Sequence, residues 1–311
     1  MPAPGSPRRA LRARFGDAAD ALVAALVRGL FALVRALGPD RASALGGLVA
    51  RTFGPWLPVH RTAVANIAAA FPDLPAAEHR RIAREAWDNL GRTACEYVHM
   101  DRIWDFDLTR PGEGRIQASA ETAARYIALA EDGRPALLFA AHLANWELPA
   151  VAAAKHGLAS AVLYRTPNNP VVARDIQALR TGLMGRLVAA GPMAPLRLLE
   201  AADEGLHVGM LIDQRFGRGP RVPFFGRPAA SNPLLARIAR RIDCPVHGAR
   251  AIRLPDGRGF RLELTEAIEL PRGPDGKVDV EAATALLNRI VEGWIREHPG
   301  QWLWQHRRWR D

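Results

Sequence analysis

Short apolar runs alternate with helical stretches from Ile116 to the end of the chain, and this alternation is its most informative pattern. Residues 136–141 carry no charge, are preceded by Gly133 and Pro135, and read as a fully buried strand. Further strands are expected at 159–165, 187–189, 207–213, 246–252 and 261–266. Helical spacing covers 121–131, 146–155, 170–184, 195–203, 233–242 and 281–298, with Asn145 as the N-cap of the second. The alternation predicts an α/β catalytic domain over 116–311, a mostly parallel sheet flanked by helices on both faces.

Upstream of this domain the pattern is helical. Residues 41–52, 60–70 and 76–97 read as helices of a cap spanning 38–115, punctuated by Pro72 and Pro75. Leu22, Leu26, Leu30, Leu33 and Leu37 recur every three or four positions and draw one face of a helix over 17–37, while Arg28 and Arg35 share the other. An arginine near a bilayer centre costs roughly 2.5–3.5 kcal/mol, which disfavours a span. The expectation is therefore a membrane-associated helix in the interface, with leucines among acyl chains and arginines at headgroups. Packing onto the rest of the protein is the alternative. Residues 1–16, rich in Pro, Gly and Arg, are expected to be a disordered basic tail. Trp56, Phe71 and Trp87 fit either interface anchors or core packing.

Composition narrows the function. An apolar fraction of 49% is that of a globular protein, not of a polytopic membrane protein. The net charge of +10 calls for an anionic partner: nucleic acid, a membrane surface or a phosphorylated substrate. Apart from Lys155 and Lys277 every Lys or Arg is arginine, whose planar fork suits phosphate. Cys95 and Cys244 offer neither a disulfide framework nor a metal-ligand cluster, so a reducing compartment and no metal are expected. Nucleotide-binding glycine motifs and nucleic-acid modules are absent, so no nucleic-acid partner is expected.

The candidate chemistry lies at the end of the first core strand, in HLANWE. His142 stands at the strand's carboxyl end and Glu147 follows five positions later, in the first turn of the next helix. An imidazole beside an acid is a minimal general base for an alcohol, because the acid holds the tautomer and stabilises the imidazolium. There is no G-x-S-x-G and both cysteines are distant, so such a base would activate the substrate's own hydroxyl. A histidine at a strand end is also a common structural residue, and spacing alone leaves both readings open. Arg165 and Asp213 end two further strands, which in a parallel sheet brings them to the edge that carries His142.

HLANWE resembles the H-x4-D/E motif of the glycerolipid and lysophospholipid acyltransferase superfamily. NIAAAFPDL before it, and YRTPNNP, GMLIDQR, VPFFGRPA and WLWQHRRW after it, are similar in order to blocks of the bacterial lipid A late acyltransferases. The likeness runs from about Phe31 to Arg310. It implies transfer of a fatty acyl group from an acyl carrier protein thioester to a hydroxyl of a phosphorylated glycolipid, a lipid A precursor. No cofactor is implied, and the place implied is the cytoplasmic side of the inner membrane. The resemblance makes His142 the base and Glu147 the acid that orients it, and puts Arg165 and Asp213 in the groove. Arg165 would bind phosphate or stabilise an oxyanion, and Asp213 would hold Arg165 or a neighbouring loop. Arg215, Arg218 and Arg221, around the loop 217–227, would border the phosphate-binding part. Phe224 and Phe225 fit an acyl channel or hinge packing equally. The tail interleaves three tryptophans with Arg307, Arg308 and Arg310, a composition that suits bases or a bilayer interface, and the resemblance favours the lipid acceptor. Two rivals remain: the same chemistry on a lysophospholipid, glycolipid or ornithine-type lipid, and a non-enzymatic basic protein of membrane or nucleic acid.

Overall fold

In the computed structural model, which describes residues 7–166 and 169–309, the expected alternation becomes a seven-stranded sheet. In chain order the strands are β1 (Ile116–Ala118), β2 (Leu137–Ala140), β3 (Ser160–Tyr164), β4 (Arg186–Ala189) and β5 (His207–Leu211). A separate hairpin, β6 (Arg221–Phe224) and β7 (Arg227–Ala230), precedes β8 (Val246–Arg253) and β9 (Phe260–Leu264). The sheet order is β1-β9-β8-β2-β5-β3-β4, and every neighbouring pair is parallel except β8 with β9. β2, β5 and β3 are adjacent and parallel, so their carboxyl ends share one edge, as the sequence predicts.

The helices are α1 (Pro7–Ala36), α2 (Pro39–Phe53), α3 (Val59–Ala70), α4 (Ala76–Glu96) and a short α5 (Met100–Ile103) before the sheet. Around it lie α6 (Ala120–Glu131), α7 (Leu148–Lys155), α8 (Pro170–Thr181), α9 (Ala194–Asp203), α10 (Leu234–Ala239) and α11 (Val280–Glu297). Strand alternation sorts the core into two layers. Leu137, Phe139, Val208 and Met210 pack with Leu198 of α9, Ile238 of α10 and Trp294 of α11. On the other face Ala136, Ala249 and Leu262 pack with Tyr126 of α6 and Val151 of α7. Phe139 stacks on Trp294 with ring centroids 5.4 Å apart, a contact worth about 0.5–1.5 kcal/mol beyond its burial.

Three expectations are corrected by the structure. The first helix starts at Pro7, so residues 7–16, expected to be a disordered tail, are helical, while residues 1–6 lie outside the described residues. Its arginines also do not point away from the protein: Arg28 pairs with Asp175 of α8, and Arg35 with Asp101 and the Val98 carbonyl. The polar face therefore docks on the body, and Leu22, Leu26, Leu30 and Leu33 are exposed. No helix among the described residues is long and apolar enough to cross a membrane.

The second correction is that half of the 217–227 loop is a strand. Pro223 and Pro228 face each other in the hairpin register and remove ladder donors, which hides both short strands from a periodicity reading. The turn places Phe225 and Gly226 at φ 52 and 68, the pair of positive angles a tight hairpin turn requires. Phe225 holds this conformation because its N–H donates to Glu292 and its ring packs on Phe71 and under Arg296. Phe224 and Phe225 thus belong to the core, the hinge-packing alternative.

Third, the tryptophan-rich tail is interior. Trp302 and Trp304 are buried, and Arg308, with 0% exposure, donates to the Ala230 carbonyl and the Ser231 hydroxyl while lying over the Phe224 ring. Arg307 is exposed, and Arg310 lies outside the described residues. Of the three aromatics that fitted either interface or core, Trp87 is buried and Phe71 packs against Phe225 and Trp304, whereas Trp56 is 77% exposed.

Candidate active site

The site begins where β2 runs into the HLAN loop. Ala144 adopts φ 48, a left-handed conformation that costs a non-glycine residue about 1–2 kcal/mol. Three hydrogen bonds hold it there: its N–H donates to the Gln301 carbonyl, and its own carbonyl accepts from the Asn89 amide and the Thr93 hydroxyl of α4. Behind the loop lies a buried ion pair between Arg253, at the end of β8, and Glu96. Glu96 also accepts from Ser43 at 2.6 Å and from the Asn145 amide at 3.0 Å. Asn145 is thus tied to the helical cap through its amide N–H, while its Oδ1 accepts from the Glu147 N–H at 3.4 Å just ahead of α7.

This clamp sets His142 against Asp213. The His142 backbone N–H donates to Asp213 Oδ2 at 2.8 Å, its ring Nδ1–H donates to Oδ1 at 2.7 Å, and the Trp302 indole N–H donates to Oδ2 at 2.7 Å. Asp213 is 1% exposed. Burial alone would raise its carboxyl, but the His142 charge and these three donors outweigh it and hold it at about 2. With Nδ1 protonated, Nε2 is left as an acceptor, and the Gln214 amide donates to it at 3.1 Å. The Trp146 ring lies 5.2 Å from the imidazole, centroid to centroid, and closes its other side.

His142 stands at the head of a cavity of about 440 Å³. The cavity runs down the sheet face of β2, β3 and β5 beneath α7, with Leu138, Val162, Gly209 and Leu211 on the sheet side and Pro149 and Ala150 on the helix side. Arg165 and Arg215 line it as well. Arg218 and Arg221 are exposed and do not reach its wall. Asp213 does not meet Arg165, as one expectation had it; it holds the His142 ring and the backbone N–H of the HLAN loop.

Glu147 is the largest correction. α7 starts at Leu148 with Pro149 in its first turn, so Glu147 occupies the N-cap, and its carboxylate pairs with Arg180 of α8 instead of His142. Arg180 lies between the Tyr97 and Tyr164 rings, at 5.6 and 5.7 Å, and lines the cavity together with Glu147. Burial opposes the Arg180 charge, but Glu147 and Tyr97 more than restore it. Burial, reinforced by the Glu147 charge, keeps the Tyr97 hydroxyl protonated.

The structure thus brings together His142, Asp213, Glu147, Arg165 and Arg215, and leaves Arg218 and Arg221 outside. The sequence reading missed Arg180, Gln214, Trp302 and the clamp of Asn89, Thr93, Glu96, Arg253 and Gln301. Gln214 and Trp302 lie within quoted motif blocks, and that is the only signal they carried; Asn89, Thr93 and Glu96 sit in a stretch read as ordinary helix, Arg253 just past an expected strand and Gln301 in the tail. Among the described residues no three His, Cys, Asp or Glu side chains converge to hold a metal ion.

The fold and site are those of an α/β protein whose mostly parallel sheet carries a His–Asp pair at the head of an apolar cavity. The chain belongs to the bacterial lipid A biosynthesis acyltransferase family, whose family model matches residues 14–311, nearly its whole length. No curated protein matches it. Membership makes the chain an enzyme and removes the non-enzymatic reading.

The Asp213 cluster predicts an acid dependence. A carboxyl held low in the folded state contributes stability that is complete above its unfolded value of about 3.9 and is lost as pH falls toward about 2. Trp302→Phe removes one donor, so the folded value rises and acid unfolding, followed by circular dichroism, should move to higher pH. Urea unfolding at neutral pH should show a loss of at least about 1.5–3 kcal/mol, the contribution of a hydrogen bond to a charged group. An unchanged acid midpoint would show that the indole N–H does not support the carboxylate.

Proposed function

We propose that the enzyme transfers a fatty acyl group from an acyl carrier protein thioester to a hydroxyl of a phosphorylated lipid A precursor (Kdo2-lipid IVA-like), directly and without cofactor. The observation that carries this reading is the His142 Nε2 lone pair aimed at the head of an apolar cavity deep enough for an acyl chain. Nε2 takes the acceptor's hydroxyl proton as the oxygen attacks the thioester carbonyl, and Gln214 turns aside to admit that hydroxyl. Asp213 stabilises the imidazolium that forms. The tetrahedral oxyanion collapses with loss of the carrier thiolate, which takes the proton back from His142. Arg180, held by Glu147 at the cavity wall, supplies positive charge beside the developing oxyanion. Arg165 and Arg215 supply charge for the acceptor's phosphates.

Membrane contact belongs to the same proposal, with the catalytic edge on the cytoplasmic side of the inner membrane. The outward leucines of α1 are continued by Leu45, Leu48, Val49, Phe53 and Trp56, all exposed. α2 turns its small residues, Ala42, Ser43 and Gly47, inward, and Gly46 and Gly91 let α2 and α4 touch backbone to backbone. Small residues inside and large apolar residues outside reverse the usual order of a surface helix and match one that faces lipid. An anionic bilayer adds roughly 1 kcal/mol for each basic residue near its surface.

Two measurements test these proposals. Purified enzyme in vesicles, given acyl carrier thioester and either a phosphorylated glucosamine disaccharide lipid or a lysophospholipid, should acylate the first; acylation of the second alone would move the acceptor elsewhere. His142→Ala should lower turnover by about 10²–10⁴-fold. For attachment, Leu26→Ser with Leu30→Ser leaves the α1 ion pairs intact and should shift the protein from floating vesicles to the soluble fraction. Flotation equal to that of the unaltered chain would remove α1 from the membrane contact.

A further inference from the structure

Gly209 sits in the middle of β5, in register with Leu138 of β2 on one side and Val162 of β3 on the other, and all three line the cavity. A glycine inside a strand weakens it and often marks the close approach of a ligand or another backbone. The two cases separate here. A Cβ on Gly248 of the neighbouring β8 would strike Trp294 and Phe139 at 2.8 and 2.9 Å, so packing demands that glycine. A Cβ on Gly209 would meet only Val162, at 3.8 Å, so its missing side chain is open cavity.

The depth of this bare position follows from the strand. Gly209 is four residues before Asp213, or about 13 Å of chain at ~3.3 Å per residue. An extended alkyl chain advances per bond about as far as extended backbone, whose three bonds span roughly 3.3–3.6 Å. An acyl chain running from the His142 end therefore passes Gly209 roughly a dozen carbons below its carbonyl. Beyond it the cavity continues to Met184 and Ser160.

We propose that Gly209 is a specificity-determining residue for the acyl donor: its bare Cα admits chains longer than about a dozen carbons, and any side chain there shortens the accepted range. This rests on the acyl-transfer reading above. The test compares Gly209→Ala and Gly209→Val with the unaltered enzyme on acyl carrier thioesters from octanoyl to palmitoyl. The palmitoyl-to-decanoyl ratio of kcat/KM should fall in both, by about 10–200-fold in the valine variant, the discrimination an apolar pocket achieves. Thermal midpoints should stay equal or rise, because the added carbons fill space and remove a strand glycine.

Two results would overturn the proposal: a folded valine variant with an unchanged chain-length profile, or a parallel loss at every length. Thermal shifts induced by free fatty acids of the same lengths read the cavity without turnover. If the unaltered enzyme accepts no carrier thioester, the donor reading fails, and Gly209 is still judged by whether valine abolishes the palmitate shift while sparing that of decanoate. A palmitate shift unaffected by valine overturns the proposal in that case too.

Discussion

A single buried carboxylate organises this candidate site. Asp213 lies at the carboxyl end of β5, and a charge so far from water is tolerable only when its oxygens are bonded. One donor is the His142 ring, one is the backbone of the HLAN loop and one is the indole of Trp302. These come from the strand end, the loop after it and the last turns of the chain. Meeting the demand of Asp213 therefore fixes the tautomer of His142, the path of the loop and the docking of the C-terminal segment together.

The helical cap takes part in the same construction. Asn89, Thr93 and Glu96 of α4 grip the HLAN loop, and Arg253 joins them to the end of β8 and to Gln301 through paired bonds between side chain and backbone. A left-handed alanine in the loop persists because its N–H and carbonyl are each bonded to a different element. The helices before the sheet and the sheet itself are thus joined at the HLAN loop. The glycine contact between α2 and α4 sets how closely the cap packs, leaving the large apolar residues of α2 on its outer face.

Much of the fold was legible because it rests on local periodicity. The uncharged run at 136–141 and the other short strands appear nearly where expected, and parallel pairing brings His142, Arg165 and Asp213 to one edge. What the sequence could not convey was who pairs with whom. Glu147 is near His142 along the chain, but Asp213, 71 residues away, is its neighbour across the sheet, and Glu147 turns to Arg180. The α1 leucines were legible as a face, yet which face docks was decided by Asp101 and Asp175, both far outside that segment. Composition misread the tail for a similar reason: interleaved Trp and Arg look the same whether they meet a bilayer or, as with Trp302, Trp304 and Arg308, the interior.

The central claim is that Asp213, and not Glu147, which is nearer along the chain, sets the tautomer of the His142 imidazole. Nitrogen-15 spectroscopy of the histidine-labelled enzyme reads this directly, since protonated and unprotonated ring nitrogens resonate apart. The account predicts that the neutral His142 ring carries its proton on Nδ1, donated to Asp213, and keeps Nε2 as the acceptor. That signature should survive Glu147→Gln and be lost in Asp213→Asn. A His142 spectrum unaltered in Asp213→Asn and changed in Glu147→Gln would contradict it.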